Sequence, residues 1–307
     1  MPPLPRSARD RGGFCKGPLK IVHIVTTIAD LQQRVAAARA QGRRIAFVPT
    51  MGNLHAGHRH LMLEARRHAD LVVASIFVNP LQFGPQEDFS AYPRTPEEDK
   101  HLLAGAAVDV LFMPDEGQMT PRGRAAQTVV EVPGVSDILC GQCRPGHFRG
   151  VTTVVNRLFN LVAPDVALFG NKDYQQLLLI RLMASDLGMP VSIVGVETVR
   201  EIDGLALSSR NAYLTEEERT RAPRLYAALV ALSGQIQQAQ GVPVGAEAAA
   251  QADLVEAGFR PDYVSVRRQA DLGEPGPGDR KLVILAAAWL GRARLIDNIV
   301  LDLNPVA

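Results

Sequence analysis

From residue 21 to residue 194, short β-branched or apolar runs alternate with longer stretches in which apolar positions recur every three to four residues. Short apolar runs read as strands buried on both faces, and the 3.6-type period reads as helices carrying one apolar stripe. The predicted strands are Arg44–Val48, Leu71–Val78, Val108–Met113, Val166–Phe169 and Val191–Val194. The predicted helices are Leu31–Ala40, His58–His68, Pro96–Gly105, Thr153–Val162 and Tyr174–Leu187. Such alternation predicts βαβ units and a doubly wound, Rossmann-like α/β domain around a parallel sheet.

After Val199 the pattern changes. A polar turn through Asp203 and Gly204 precedes Thr215-Glu216-Glu217-Glu218, where a threonine with a glutamate three residues on signals a capped helix start. Two Ala-rich helices follow, then three strand-like runs, Tyr263–Val266, Lys281–Trp289 and Ala293–Ile299, with the Pro/Gly-rich loop Gly273–Gly278 before the second. A smaller C-terminal α+β domain with an antiparallel sheet is expected. The expected division is therefore a disordered tail at 1–20, a Rossmann-like ligand-binding domain at 21–198 and a C-terminal α+β lid at 199–307. No repeat of 20 to 50 residues points to a solenoid or propeller.

Composition narrows the function classes. With 307 residues, two domains sharing a cleft are expected, and 47% hydrophobic with 21% charged residues is the balance of a globular protein. Thirty-three Lys and Arg against 32 Asp and Glu leave a formal charge of +1, so no global field draws nucleic acid or an anionic membrane. The longest apolar stretch, Leu282–Leu290, is far short of the roughly 20 residues that span a bilayer. The first twenty residues mix Arg6, Arg9, Arg11, Lys16 and Lys20 with four prolines and lack a secretory apolar core. Together with only three cysteines, this makes a reducing cytoplasm the expected location. Cys140-Gly141-Gln142-Cys143 has the spacing of half a zinc site, but no second pair completes it, and it reads as a variable loop.

The chemistry gathers where predicted strands end. Phe47 to His58 runs from an apolar strand through a Gly-containing turn into a helix, with His55 and His58 three residues apart. An isolated H-x-x-H pair is most often a surface cap. Here the glycines admit a phosphate close to the backbone, the helix start aims its N–H groups at that anion, and the imidazoles add donors beside it. A metalloprotease would need H-E-x-x-H, which is missing. Asn79-Pro80-Leu81-Gln82-Phe83-Gly84 places an amide beside an aromatic face. In Tyr92-Pro93-Arg94-Thr95-Pro96-Glu97-Glu98-Asp99, Thr95 is expected to cap a helix, and Glu98 and Asp99 are candidate magnesium carboxylates, directly or through water. Arg144-Pro145-Gly146-His147-Phe148-Arg149-Gly150-Val151 reads as a gated loop leading into a helix. Gly170 to Gln176 sets Lys172, Asp173 and Gln176 at the same sheet edge, and Leu207-Ser208-Ser209-Arg210-Asn211 offers two hydroxyls and a guanidinium to phosphates.

In this order and spacing, PTMGxLHxGH, NPxQFG, YPRT, RPGHFRGV, GxKDxQQ and SSRN resemble the pantoate–β-alanine ligases (pantothenate synthetases) of the HxGH nucleotidyl-transferase superfamily, from about Ile21 to the end of the chain. The resemblance implies condensation of pantoate with β-alanine, with ATP consumed through a pantoyl adenylate and AMP and pyrophosphate released, in a cytoplasmic homodimer. His55 and His58 would bind the triphosphate, and Lys172 would neutralise it. Ser208, Ser209 and Arg210 would close over it, and Gly170 and Asp173 would hold the ribose, with Met51, Gly57, Val199 and Leu207 completing the nucleotide site. Gln82 and Gln176 would bind pantoate in a pocket of Pro49, Thr50, Met51 and Phe83, while Glu98 and Asp99 match the family's acidic magnesium-associated pair. Methionine is usual where Leu207 stands. If that residue meets adenine through its backbone, leucine is tolerated.

A carboxylate nucleophile is already ionised at neutral pH, so its attack on phosphorus needs positioning and charge stabilisation and no general base. No Ser-His-Asp or Cys-His arrangement suggests a covalent enzyme intermediate. The alternatives are another HxGH adenylyltransferase acting on a phosphate ester, which would release no AMP, and a non-catalytic nucleotide-binding module, which would turn nothing over. The balanced charge and the missing anticodon-binding region disfavour an aminoacyl-tRNA synthetase.

Overall fold

Six strands build the larger sheet, and the four inner ones are buried on both faces, which explains why those segments read as unbroken apolar runs rather than alternating ones. The computed structural model describes residues 22–84, 89–90 and 92–303, and the expected tail at 1–20 lies outside them. In chain order the elements are β1 (His23–Val25), α1 (Ile28–Ala40), β2 (Ile45–Thr50), α2 (Ala56–His68), β3 (Leu71–Ile76), α3 (Pro96–Gly105), β4 (Val110–Phe112), the short α4 (Glu116–Met119) and α5 (Cys140–Cys143), α6 (His147–Val162), β5 (Val166–Gly170), α7 (Tyr174–Asp186) and β6 (Ser192–Val196). The strand order is β1-β4-β3-β2-β5-β6, with every neighbour parallel. The chain runs outward from β2 through β3 to β4, then crosses back to lay β5 on the other side of β2. That reversal opens a crevice at the carboxyl ends of β2 and β5, the usual place for a ligand in such sheets.

Helices cover both faces. Val151, Val154, Val155, Leu158, Phe159 and Val162 form the buried stripe of α6, and Phe159 meets Phe47 of β2 edge-on at 6.4 Å between ring centres. On the other face Met62 and Ala65 of α2 and Leu103 of α3 pack over Ala46, Val48, Val72 and Ala74.

The rest of the chain forms α8 (Glu216–Arg221), α9 (Arg224–Ala239), α10 (Ala246–Glu256) and an antiparallel sheet of β7 (Arg260–Arg268), β8 (Lys281–Leu290) and β9 (Ala293–Asp302). The expected capping box at Thr215 and Glu218 is present. β8, the central strand, holds the chain's longest apolar run for a physical reason. Its even positions, Leu282, Ile284, Ala286, Ala288 and Leu290, join the core under α9 and α10, while Val283 and Leu285 face the core of the larger sheet. An antiparallel strand alternates only when one face meets water, and here neither does.

Two readings of the sequence need correction. The RPGHFRGV segment is not a loop throughout: α6 begins at His147, after Gly146 at φ +79°, so His147 to Gly150 form its first turn. Strand β1 was not singled out, because three residues carry too little pattern to separate from their surroundings.

Candidate active site

The turn after β2 delivers two histidines in a fixed protonation state. His55 is the N-cap of α2, so the helix starts two residues before the expected His58. The His55 Nδ1 accepts from the Gly57 N–H at 3.2 Å, and the His58 Nδ1 accepts from the His55 N–H at 3.3 Å. An Nδ1 that accepts a backbone proton leaves its own proton on Nε2, so both rings are neutral Nε2–H donors. Burial is the main reason that the His55 pKa falls to about 4, with the Lys172 charge adding to it. The His58 pKa falls to about 3, again through burial first and then the neighbouring His55 and Lys172. Gly57 makes this fold-back possible, because a Cβ there would stand 2.9 Å from the His55 Cε1.

In the 3-10 turn after the next strand, β3, Gln82 is held from both ends. Its Oε1 accepts from the Asn79 Nδ2 at 3.0 Å, and that same Nδ2 also donates to the Gly150 carbonyl, so what Gln82 offers a ligand is its Nε2–H donors. Its backbone carbonyl accepts from the His147 Nδ1 at 2.8 Å, while the Arg144 guanidinium donates to the His147 Nε2 at 3.0 Å. His147, only 8% exposed, is thus a neutral Nδ1–H tautomer that ties the start of α6 to Gln82. Gly150 completes the joint: a Cβ there would lie 2.2 Å from the Leu81 carbonyl oxygen.

The third wall is cationic. The Lys172 Nζ donates to the Leu207 carbonyl at 3.2 Å, and burial is the main cause of its lowered pKa. The Leu207 N–H in turn donates to the Val199 carbonyl at 2.9 Å, so position 207 is held by its backbone from two sides. The Ser208 Oγ accepts from the Arg210 N–H. Behind this wall, the Asn298 Nδ2 of β9 donates to the carbonyls of Asn171 and Lys172 at 2.9 and 2.8 Å. Arg200 makes a two-pronged pair with buried Asp297, at 2.6 and 2.9 Å.

One cleft of about 260 Å³ gathers nearly all the expected residues: Pro49, Thr50, Met51, His55, Gly57, His58, Gln82, Gly170, Lys172, Asp173, Gln176, Val199, Leu207, Ser208, Ser209 and Arg210. A second cavity of about 680 Å³, walled largely by the C-terminal sheet, shares Lys172, Asp173, Gln176 and Arg210 with it.

Three expected residues stand elsewhere. Phe83 does not line the cleft. It packs edge-on against Tyr92 at 5.9 Å, and Tyr92, Phe77 and Phe169 supply the aromatic lining instead. Glu98 is exposed in the first turn of α3. Asp99 is 2% exposed, and its carboxylate accepts from the N–H groups of Asn53 and Leu54 and from the Thr95 hydroxyl, which does not cap its own helix. A carboxylate so engaged does not fit as a magnesium ligand. Among the described residues, no cluster of three or more His, Cys, Asp or Glu is arranged to hold a metal. Cys140 of the CxxC segment instead meets the Tyr263 hydroxyl at 3.0 Å.

Sequence reading also missed Asn79, Gln175, Asp297 and Asn298. Gln175, 4% exposed, donates to the carbonyls of Val135 and Ile138 and accepts from the Cys140 N–H, pinning the segment before α6. Its place in GxKDxQQ was the one available signal.

Comparison with known proteins agrees with this geometry. The family model described as pantoate-beta-alanine ligase matches residues 23–300. The chain is 58% identical over 282 residues to the pantothenate synthetase of Shewanella amazonensis, covering 91% of this chain and 99% of that protein. It is also 58% identical, over 92% of this chain and 98% of the relative, to the pantothenate synthetase of Thioalkalivibrio sulfidiphilus. Among solved structures, pantothenate synthetase from Thermus thermophilus superposes with a TM-score of 0.84 at 46% identity, covering 91% of this chain and 99% of that one. The pantoate-beta-alanine ligase of Francisella tularensis, complexed with beta-gamma ATP and beta-alanine, does so with a TM-score of 0.77 at 32% identity, covering 91% and 98%.

Proposed function

The chain belongs to the pantoate–β-alanine ligase family, and we propose that the cleft beyond β2 and β5 runs its reaction in two steps through a pantoyl adenylate. The enzyme joins pantoate to β-alanine with ATP as co-substrate. In the first step a pantoate carboxylate oxygen attacks the α-phosphorus of ATP, the bond from that phosphorus to the bridging oxygen breaks, and pyrophosphate leaves. In the second, the neutral amine of β-alanine attacks the acyl carbon, AMP departs, and the amine gives up a proton.

The single observation that carries this reading is the pair of Nε2–H donors on His55 and His58, opposite Lys172 in one cleft. Neutral imidazoles and a desolvated ammonium suit a reaction whose nucleophile is already an anion, since the demand is for donors to the charge that builds on the triphosphate. An anionic phosphate beside Lys172 favours its charged form, offsetting the burial that lowers its pKa. Gln82 and Gln176 hold pantoate by neutral amide contacts that do not repel its carboxylate. Asp173 and Gly170 serve the ribose, and Ser208, Ser209 and Arg210 close over the phosphates. The residues that would meet a magnesium-bearing triphosphate are His55, His58 and Lys172, and the ion would supply charge neutralisation there. No long apolar helix crosses a membrane among the described residues, and a cytoplasmic homodimer is the family expectation, which sedimentation analysis tests.

The test is an omission assay. AMP should form only when ATP, pantoate and β-alanine are all present, pyrophosphate should form stoichiometrically with enzyme when β-alanine is left out, and intact mass should reveal no covalently modified protein. ADP formation, or an acylated enzyme, would exclude the mechanism.

A further inference from the structure

We propose that Asp99 is a positioning residue for adenylation, a clamp on the turn between β2 and α2 that fixes where His55 and His58 stand. This rests on the reading of the cleft as the ATP site.

The Asp99 carboxylate collects donors from that turn. Oδ2 accepts from the Asn53 N–H at 3.0 Å, and Oδ1 accepts from the Leu54 N–H at 2.7 Å and from the Thr95 hydroxyl at 3.2 Å. The turn is one that the backbone does not adopt cheaply, with Gly52 at φ +82° and Asn53 at φ +51°. Only glycine fits at 52, because a Cβ there would stand 3.0 Å from the Asp99 Oδ2. A buried carboxylate that receives two converging N–H groups offsets this cost through charge-assisted hydrogen bonds. The next residue after Leu54 is His55, whose backbone N–H orients the His58 ring and whose own ring caps α2. A shift of the turn therefore reaches both imidazoles directly. Glu98, beside Asp99 in sequence, points to solvent and takes no part.

The acidic pair that resembles a magnesium site thus has a different task, and the two tasks separate experimentally. Asp99→Asn keeps the shape but offers one oxygen where two are used, and Thr95→Val removes one donor while leaving the turn contacts. For each folded variant, pyrophosphate release during turnover of ATP, pantoate and β-alanine would be followed against magnesium concentration. The histidine 15N signals would be recorded on metal-free protein. In Asp99→Asn we expect a kcat about 10- to 100-fold lower, the scale for misplaced catalytic groups. The magnesium midpoint and the KM for pantoate should stay within about twofold, and the His55 and His58 signals should shift without metal. Thr95→Val should show the same split at smaller amplitude, and it carries the test if Asp99→Asn does not fold. Recovery of kcat at high magnesium with a shifted midpoint would overturn the clamp in favour of a metal ligand, and unchanged histidine signals would overturn it outright. A wild-type protein that releases no pyrophosphate would overturn the reading of the cleft, while the metal-free spectra would still decide the clamp.

Discussion

Two imidazoles that spend neutral pH as Nε2–H donors line the cleft, and their state has a measurable sign. Their folded pKa values, about 4 for His55 and about 3 for His58, lie below the ordinary 6.5. The unfolded chain therefore takes up protons first as pH falls, so the native state should lose stability progressively below pH 6.5 and down to about 3 to 4. Across pH 6 to 8 neither ring should titrate. Long-range 1H–15N spectra should show both as Nε2–H tautomers throughout that window, and a midpoint near 6.5 would contradict the hydrogen-bond assignment. Replacing either histidine by alanine should lower kcat by roughly 10²- to 10³-fold, the scale for losing one preorganised donor, with the fold intact by circular dichroism. Gln82 follows the same logic with opposite charge. Gln82→Glu keeps the Asn79 contact but sets a carboxylate beside the pantoate carboxylate, so the KM for pantoate should rise by about tenfold to a hundredfold, more than in Gln82→Ala, while ATP binding alone changes little. Collapse of ATP affinity with an unchanged pantoate KM would place Gln82 in the nucleotide site.

At the scale of elements, the joint between α6 and the turn after β3 is where sequence and structure diverge most usefully. RPGHFRGV reads as a loop because Pro145, Gly146 and Gly150 are helix-breaking types, yet Gly150 is there to let α6 lie directly on the backbone of Leu81 and Gln82. Gly150→Ala should therefore destabilise the protein by about 1–3 kcal/mol, the cost of overpacking a tight contact, and raise the pantoate KM through displaced Gln82. Urea denaturation with a midpoint equal to wild type would show that the contact yields freely. Apart from the three-residue β1, the strands and longer helices of the larger sheet were legible because local period sets them: α3 spans Pro96–Gly105 as expected, and α7 ends one residue earlier than expected. PTMGxLHxGH and GxKDxQQ were legible for the same reason, since each sits where a strand ends and a helix begins. The hold of Asp99 on the turn after β2 was not, because its partners Asn53 and Leu54 lie more than 40 residues away and no local pattern joins them.

For the whole molecule, the C-terminal sheet backs the segment that carries Lys172. Asn298 holds the carbonyls of Asn171 and Lys172 from a distance of more than 120 residues, and Asp297 pairs with Arg200 from 97 residues away. Separations of that size carry no signal in a single sequence, which is why Lys172 could be singled out from its local motif and its support could not. Asp297 is almost fully buried while Arg200 keeps a fifth of its side chain exposed, so Asp297→Ala should cost roughly 3 kcal/mol in urea unfolding, the lower end for breaking a buried pair. A loss below about 1 kcal/mol would show that water replaces the carboxylate. The central chemical claim is that the pantoate carboxylate attacks the α-phosphorus, and isotope transfer reads this directly. With pantoate labelled by 18O in both carboxylate oxygens, turnover with ATP and β-alanine should leave one 18O in each AMP and none in pyrophosphate. AMP without label, or label in a phosphate released from ATP's terminal positions, would contradict it.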